Sequence, residues 1–171
     1  MKKGELAVLI AAAAFTAFAQ VPEKVDPGAI LNYRVVKPGL ATAGQPTPEG
    51  LRSLKEKGFK TVINLRTESE PGVKEEEAAV KEQGLNYVWV PLTAATFSQD
   101  KIDQVRRALE DPNAGATLLH CASANRVGAV MTVIEVQRGK SYDEALAAGK
   151  AIGLTSPPLI EAVDKLLGRV K

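Results

Sequence analysis

The sequence predicts an α/β sandwich, a central sheet flanked by helices, and two patterns predict it. Short β-branched apolar runs alternate with segments whose apolar residues recur at helical spacing. One of those helices, starting at Asn125 or Arg126, is apolar on nearly every side through Val136, so it must run through the middle of the domain. The composition agrees. With 171 residues, 45% hydrophobic and 25% charged, the chain can bury one sizeable core and resembles no disordered, collagenous or coiled-coil sequence.

The elements follow in order. Residues 1–19 read as a secretory signal peptide: Lys2 and Lys3 are basic, Leu6 to Ala17 is an apolar run, and Ala17-Phe18-Ala19 is a cleavage pattern. The run is too short to span a bilayer, so the expectation is export to the periplasm or the medium, with no stable membrane insertion after cleavage. Residues 20–31 form a flexible lead-in with two prolines, and 32–171 one domain. Tyr33 to Val36 is a short strand, and Leu40 to Pro46 a loop or second strand. Thr47-Pro48-Glu49 opens a helix, with Thr47 as N-cap and Pro48 at the first position, closed by Gly58. Lys60 to Leu65 is a strand, Gly72 to Gln83 an acidic helix, and Leu85 to Leu92 another strand. Asp100 to Leu109 places Ile102, Val105 and Leu109 on one helix face. Ala116 to His120 is a short apolar strand that feeds the buried helix, and helices at Tyr142 to Lys150 and Pro157 to Leu167 complete the chain.

Several function classes are excluded. One His and one Cys cannot assemble a His/Cys metal site, and a single Cys has no disulfide partner. No metal or other cofactor is expected. Removing Lys2, Lys3 and Glu5 leaves a nearly neutral chain, without the basic footprint of a nucleic-acid binder. In an exported chain, a lone thiol must be buried or useful.

Cys121 therefore draws attention. It stands in His120-Cys121-Ala122-Ser123-Ala124-Asn125-Arg126-Val127-Gly128, at the carboxyl end of a strand, with a short loop leading into a helix. Ligands of open α/β sheets bind at that edge. The amides of Ala122, Ser123, Ala124 and Asn125 can form an anion-binding nest, reinforced by the helix dipole. Arg126 adds a planar, permanently charged fork for an oxyanion, and the same field favours an acidic, accessible thiolate. Nucleophile, amide cradle and arginine within six residues suit covalent catalysis. His120 is expected to fix the loop through hydrogen bonds.

The segment resembles the HC…R signature loop of the protein-tyrosine and dual-specificity phosphatase superfamily, and more closely a bacterial phosphatase-like domain also found in beta-lactamase-hydrolase-like fusion proteins. The resemblance extends over G-L-A-T-A-G-Q-P-T at 39–47, T-V-I-N-L-R at 61–66 and the acidic stretch with Glu68 and Glu70. It implies a phosphatase-like three-layer sandwich with a mixed, mostly parallel sheet of four to five strands. It also implies that Cys121 attacks phosphorus, that Arg126 and the loop amides bind the equatorial oxygens, and that water hydrolyses a cysteinyl-phosphate. The substrate would be a small-molecule or protein phosphoester.

The chain departs from that signature at four points. Four residues rather than five separate Cys121 from Arg126; Ala124 stands where such loops usually carry Gly; Val127 replaces the Ser or Thr after the arginine; and Thr93, Ala94 and Ala95 occupy the stretch expected to hold a general-acid Asp. Asp100 is the nearest substitute, although its position better suits the N-cap of the 101–109 helix. Glu68 and Glu70 are the other proton sources in reach, and Arg66 either assists anion binding or pairs with one of them. Two alternatives remain: a rhodanese-like sulfurtransferase, whose six-residue loop matches Cys121 to Arg126 and would carry a Cys121 persulfide, and a non-catalytic oxyanion-binding module.

Overall fold

Five strands form one sheet in the computed structural model, which describes residues 20–170. They are β1 (Arg34–Lys37), β2 (Leu40–Ala43), β3 (Thr61–Asn64), β4 (Asn86–Trp89) and β5 (Thr117–His120), in the spatial order β1-β2-β5-β3-β4. Only the β1–β2 hairpin is antiparallel; β2, β5, β3 and β4 run parallel. The six helices are α1 (Pro48–Arg52), α2 (Val73–Glu82), α3 (Gln99–Glu110), α4 (Asn125–Gln137), α5 (Tyr142–Ile152) and α6 (Pro157–Leu166). The expected mixed, mostly parallel sheet of an α/β sandwich is what forms.

Strand periodicity divides the core in two. Val62, Leu118 and Ala41 face α1 and α2 with Leu54, Phe59 and Val80, whereas Ile63, Leu119 and Leu40 face α3 to α6. All three central strands are buried along their whole length, as parallel strands covered on both faces must be. Helix α4 is fully enclosed from Val127 to Ile134, in agreement with its all-round apolar sequence. It meets α5 backbone to backbone: a Cβ on Gly128 would lie 2.5 Å from the Gly149 carbonyl oxygen, so this crossing requires glycine.

Two expectations are revised. Helix α1 ends at Arg52 and not at Gly58, because the chain beyond it tightens into turns such as Leu54 N–H to Leu51 O and Gly58 N–H to Lys55 O. Residues 20–31 are packed instead of forming a loose lead-in. Val21, Val25 and Ala29 lie on the α1/α2-side core, Ile30 is completely buried, and the Tyr33 hydroxyl donates to the Pro22 carbonyl at 2.6 Å. The expected signal peptide, 1–19, lies outside the described residues.

Candidate active site

The carboxyl ends of the four parallel strands converge on one locus. Across the sheet His120 is level with Ala43 on one side and Asn64 on the other, and Asn64 with Trp89. The next residues, Gly44, Cys121 and Leu65, leave the sheet together. Alternation along β5 turns the His120 side chain toward α2 and the Cys121 thiol toward α4.

The cysteine loop is fastened at each residue. Ala122 O accepts from Gln45 N–H at 2.9 Å, and Ser123 bridges Gly44 and receives the Asn32 amide at 3.3 Å. A Cβ on Gly44 would approach the Ala122 carbonyl to 2.9 Å, which gives the glycine of the G-Q-P-T segment its purpose. Ala124 adopts φ 68°, ψ −2°, the left-handed turn that a glycine would take at little cost, and it is buried. Asn125 and Arg126 then occupy the first turn of α4, where backbone amides have no partner within the helix. The Asn125 side chain does not face an anion site: its Oδ1 accepts from the amides of Thr155 at 2.7 Å and Ser156 at 2.8 Å, capping the approach to α6. Ala122 and Ser123 are exposed, and a cavity of about 390 Å³ lined by Asn32, Arg34, Ser123, Asn125 and Thr155 opens beside the loop.

Arg126 reaches back over the sheet edge. It donates to the Leu65 carbonyl at 3.2 Å and the Leu92 carbonyl at 3.3 Å, and forms a two-point pair with Glu70, at 2.7 Å for each contact. Burial opposes its charge, but Glu70 and the neighbouring Cys121 sulfur outweigh burial and hold the guanidinium firmly protonated. Cys121 itself is completely buried, not accessible as the sequence suggested, because it sits beneath the loop in the α4-side core.

The candidate proton donors are placed as follows. Burial would raise the Glu70 carboxyl, yet the Arg126 and Thr67 contacts bring it down from 4.5 to about 2, so it is a carboxylate at neutral pH. Glu68 is exposed and pairs with Lys74 at 3.1 Å. Asp100 lies on the exposed side of α3, accepting from Gln104 at 2.7 Å, while Ser98 occupies the N-cap. Arg66 turns to Glu76 at 3.3 Å, to Glu70 at 3.6 Å and to the Pro71 carbonyl, which places it in an acidic network.

Glu76 is the member that the sequence reading missed. It is 1% exposed and accepts from His120 Nε2 at 2.7 Å, from Gln45 Nε2 at 2.9 Å and from Arg66. Burial pushes its carboxyl up, but His120, Gln45 and Arg66 together pull it below the ordinary value. A signal was available: Val73, Glu76 and Val80 share one helix face at i, i+3 and i+7, and the two valines mark that face as buried.

A mostly parallel sheet carrying a cysteine loop and a helix-borne arginine at its carboxyl edge defines a phosphatase-like α/β domain of the protein-tyrosine phosphatase type. The chain belongs to the family described as DSP-PTPase phosphatase fused to NAD+ kinase, whose model matches residues 11–161. It is 33% identical over 119 residues to the beta-lactamase hydrolase-like protein of Xylella fastidiosa, covering 67% of this chain and 27% of that one. The counterpart in Agrobacterium fabrum is 28% identical over 105 residues, 59% of this chain and 24% of its own. The chain thus spans about a quarter of these relatives. Among solved structures, the DUF442 protein of Shewanella putrefaciens CN-32 matches at TM-score 0.66 and 18% identity over 84% of this chain and 93% of that one. The core catalytic domain of the PP-IP phosphatase SIW14 from S. cerevisiae matches at 0.66 and 16%, over 79% and 85%. P. aeruginosa TpbA matches at 0.65 and 19%, over 93% and 94%. At these identities the structural likeness establishes the fold.

Proposed function

We propose that this chain is a cysteine-dependent phosphatase-type hydrolase. The Cys121 sulfur attacks phosphorus, an S–P bond forms as the ester P–O bond breaks, and the proton the thiol gives up passes through water to the leaving oxygen. Water then cleaves the cysteinyl-phosphate and regenerates the thiol. The observation that carries this reading is Arg126, charged, bound at two points by Glu70 and facing the Cys121 sulfur at the carboxyl edge of the sheet. The Asn125 and Arg126 amides, in the first turn of α4, are the donors offered to the substrate's oxyanion. The substrate is a small-molecule or protein phosphoester.

Parallel assays with an aryl phosphate and with thiosulfate plus a thiol acceptor separate this reading from a sulfurtransferase. Aryl-phosphate turnover that disappears in Cys121→Ser is the expected result, because serine keeps the loop but is a far weaker nucleophile. Thiosulfate turnover alone, or phosphatase activity retained in Cys121→Ser, overturns it. Export is proposed on the basic start, the apolar run and the Ala17-Phe18-Ala19 site, with cleavage after Ala19. N-terminal sequencing of protein recovered outside the cytoplasm should begin at Gln20; an intact Met1 there refutes it.

A further inference from the structure

A second cationic position lies on the thiol's side of the sheet. Arg34 stands opposite Thr42 in the β1–β2 hairpin, and Thr42 is level with Leu119 of β5. Leu40 and Leu119 face α3 to α6. Thr42, two residues beyond Leu40, shares that face and so does its partner Arg34, just as Cys121 shares it two residues beyond Leu119. Strand spacing and rise put the Arg34 and Cys121 backbones about 12 Å apart, a separation that one small molecule can bridge.

The cavity of about 390 Å³ beside the cysteine loop has both Arg34 and Ser123 in its wall, and no carboxylate lines it. Its two amide side chains are already committed within the protein. Asn32 Nδ2 donates to the Ser123 carbonyl at 3.3 Å, and Asn125 Oδ1 accepts from the Thr155 amide at 2.7 Å. Arg34 is not committed. Arg52, Arg66, Arg106, Arg126 and Arg138 each pair with a carboxylate. The exposed Arg34 guanidinium has neither an ion pair nor a hydrogen bond among the described residues. A permanently charged fork in the wall of an acid-free cavity, next to a loop suited to one anion, attracts a second.

We infer that this cavity is a subsite for a second phosphate, held by Arg34, and that the substrate is a small molecule carrying two phosphates. The inference rests on the proposed function for the group that Cys121 attacks, whereas the subsite itself is a matter of binding alone. The volume is that of a small-molecule site, and most of the lining side chains are polar. Such walls suit a compact anion better than the apolar side chains of a peptide.

Butane-1,4-diol bisphosphate and butyl phosphate differ only in the second phosphate, so the ratio of their kcat/KM values reads the subsite. The wild type should favour the bisphosphate by about tenfold or more, the gain expected of one charge-assisted contact. Arg34→Gln should bring the ratio close to one, and Arg34→Lys should fall between, since it keeps the charge without the fork. A wild-type ratio at or below one, or a ratio unchanged in Arg34→Gln, overturns the inference. A doubly phosphorylated peptide should show no Arg34-dependent advantage over the singly phosphorylated one. An advantage there, with none for the diol, would assign the cavity to protein substrates and overturn the inference as well. Calorimetric binding of the two butyl ligands to Cys121→Ser protein, with and without Arg34→Gln, needs no turnover. An Arg34-dependent tenfold gap in Kd alongside an inactive wild type would refute the phosphatase reading and leave the subsite standing; equal Kd values would overturn the subsite alone.

Discussion

At φ 68° Ala124 holds a conformation in which an L side chain costs about 1–2 kcal/mol. Its methyl group is buried, and burying one such carbon is worth about 0.8 kcal/mol. Relief of strain should therefore offset loss of packing in Ala124→Gly, which is expected to be neutral or up to about 1 kcal/mol more stable in urea unfolding. Ala124→Val should be clearly destabilised, since a β-branched residue fits that region worst. Equal losses in both variants would mean that packing, not backbone strain, dominates at this turn. Arg126 is bound by geometry as much as by charge: two contacts to Glu70 and one to each of the Leu65 and Leu92 carbonyls use its planar fork. Arg126→Lys should therefore lower kcat/KM for an aryl phosphate by about 100-fold or more, while far-ultraviolet circular dichroism stays unchanged.

Between elements, the closest contact is the α4–α5 crossing. A Cβ on Gly149 would lie 2.0 Å from Thr132 Oγ1 and 2.7 Å from the Gly128 carbonyl, and the second of these is backbone that cannot swing away. Gly149→Ala should cost about 1–3 kcal/mol by overpacking, despite alanine's better helix propensity; a stabilised variant would show that the helices can separate freely. The β5–α4 connection makes a sharper statement. Inserting a glycine between Ala124 and Asn125 restores the five-residue spacing and should raise aryl-phosphate turnover. In a sulfurtransferase it should instead reduce thiosulfate turnover, because the enlarged loop would hold a persulfide loosely. The same elements show what was legible in the sequence. Strand and helix periodicity disclosed the sheet and the buried α4, because each is local in the chain. Glu70 with Arg126 and Glu76 with His120 join residues 56 and 44 positions apart, and no local pattern pairs them. Asn125 is a further case: the tertiary approach of residues 155–156 makes its side chain a cap, which no local pattern announces.

At the scale of the molecule, the acidic network links halves that the sheet alone would leave joined only through strand pairing. Glu70 ties the loop after β3 to α4, and Glu76 ties α2 to β5. This makes folding stability sensitive to acid, with a sign that follows from the lowered carboxyls. Burial works against ionised Glu70, but Arg126 and Thr67 lower its folded value to about 2 from 4.5. Its stabilisation is therefore complete above about pH 4.5 and is lost as pH falls toward 2. At about 1.4 kcal/mol per pH unit, the ceiling is about 3 kcal/mol; the side chain is 24% exposed, so solvent screening reduces the true figure. Glu76, also lowered, adds a loss in the same direction. Urea unfolding of the wild type and Glu70→Gln across pH 7 to 2 should show the wild type more stable at neutral pH, with the gap closing progressively below 4.5. The variant cannot follow the wild-type curve through that window, because it has no carboxyl at position 70 to titrate. Parallel curves would place the acid sensitivity elsewhere and reduce the Glu70–Arg126 pair to a surface contact of little weight.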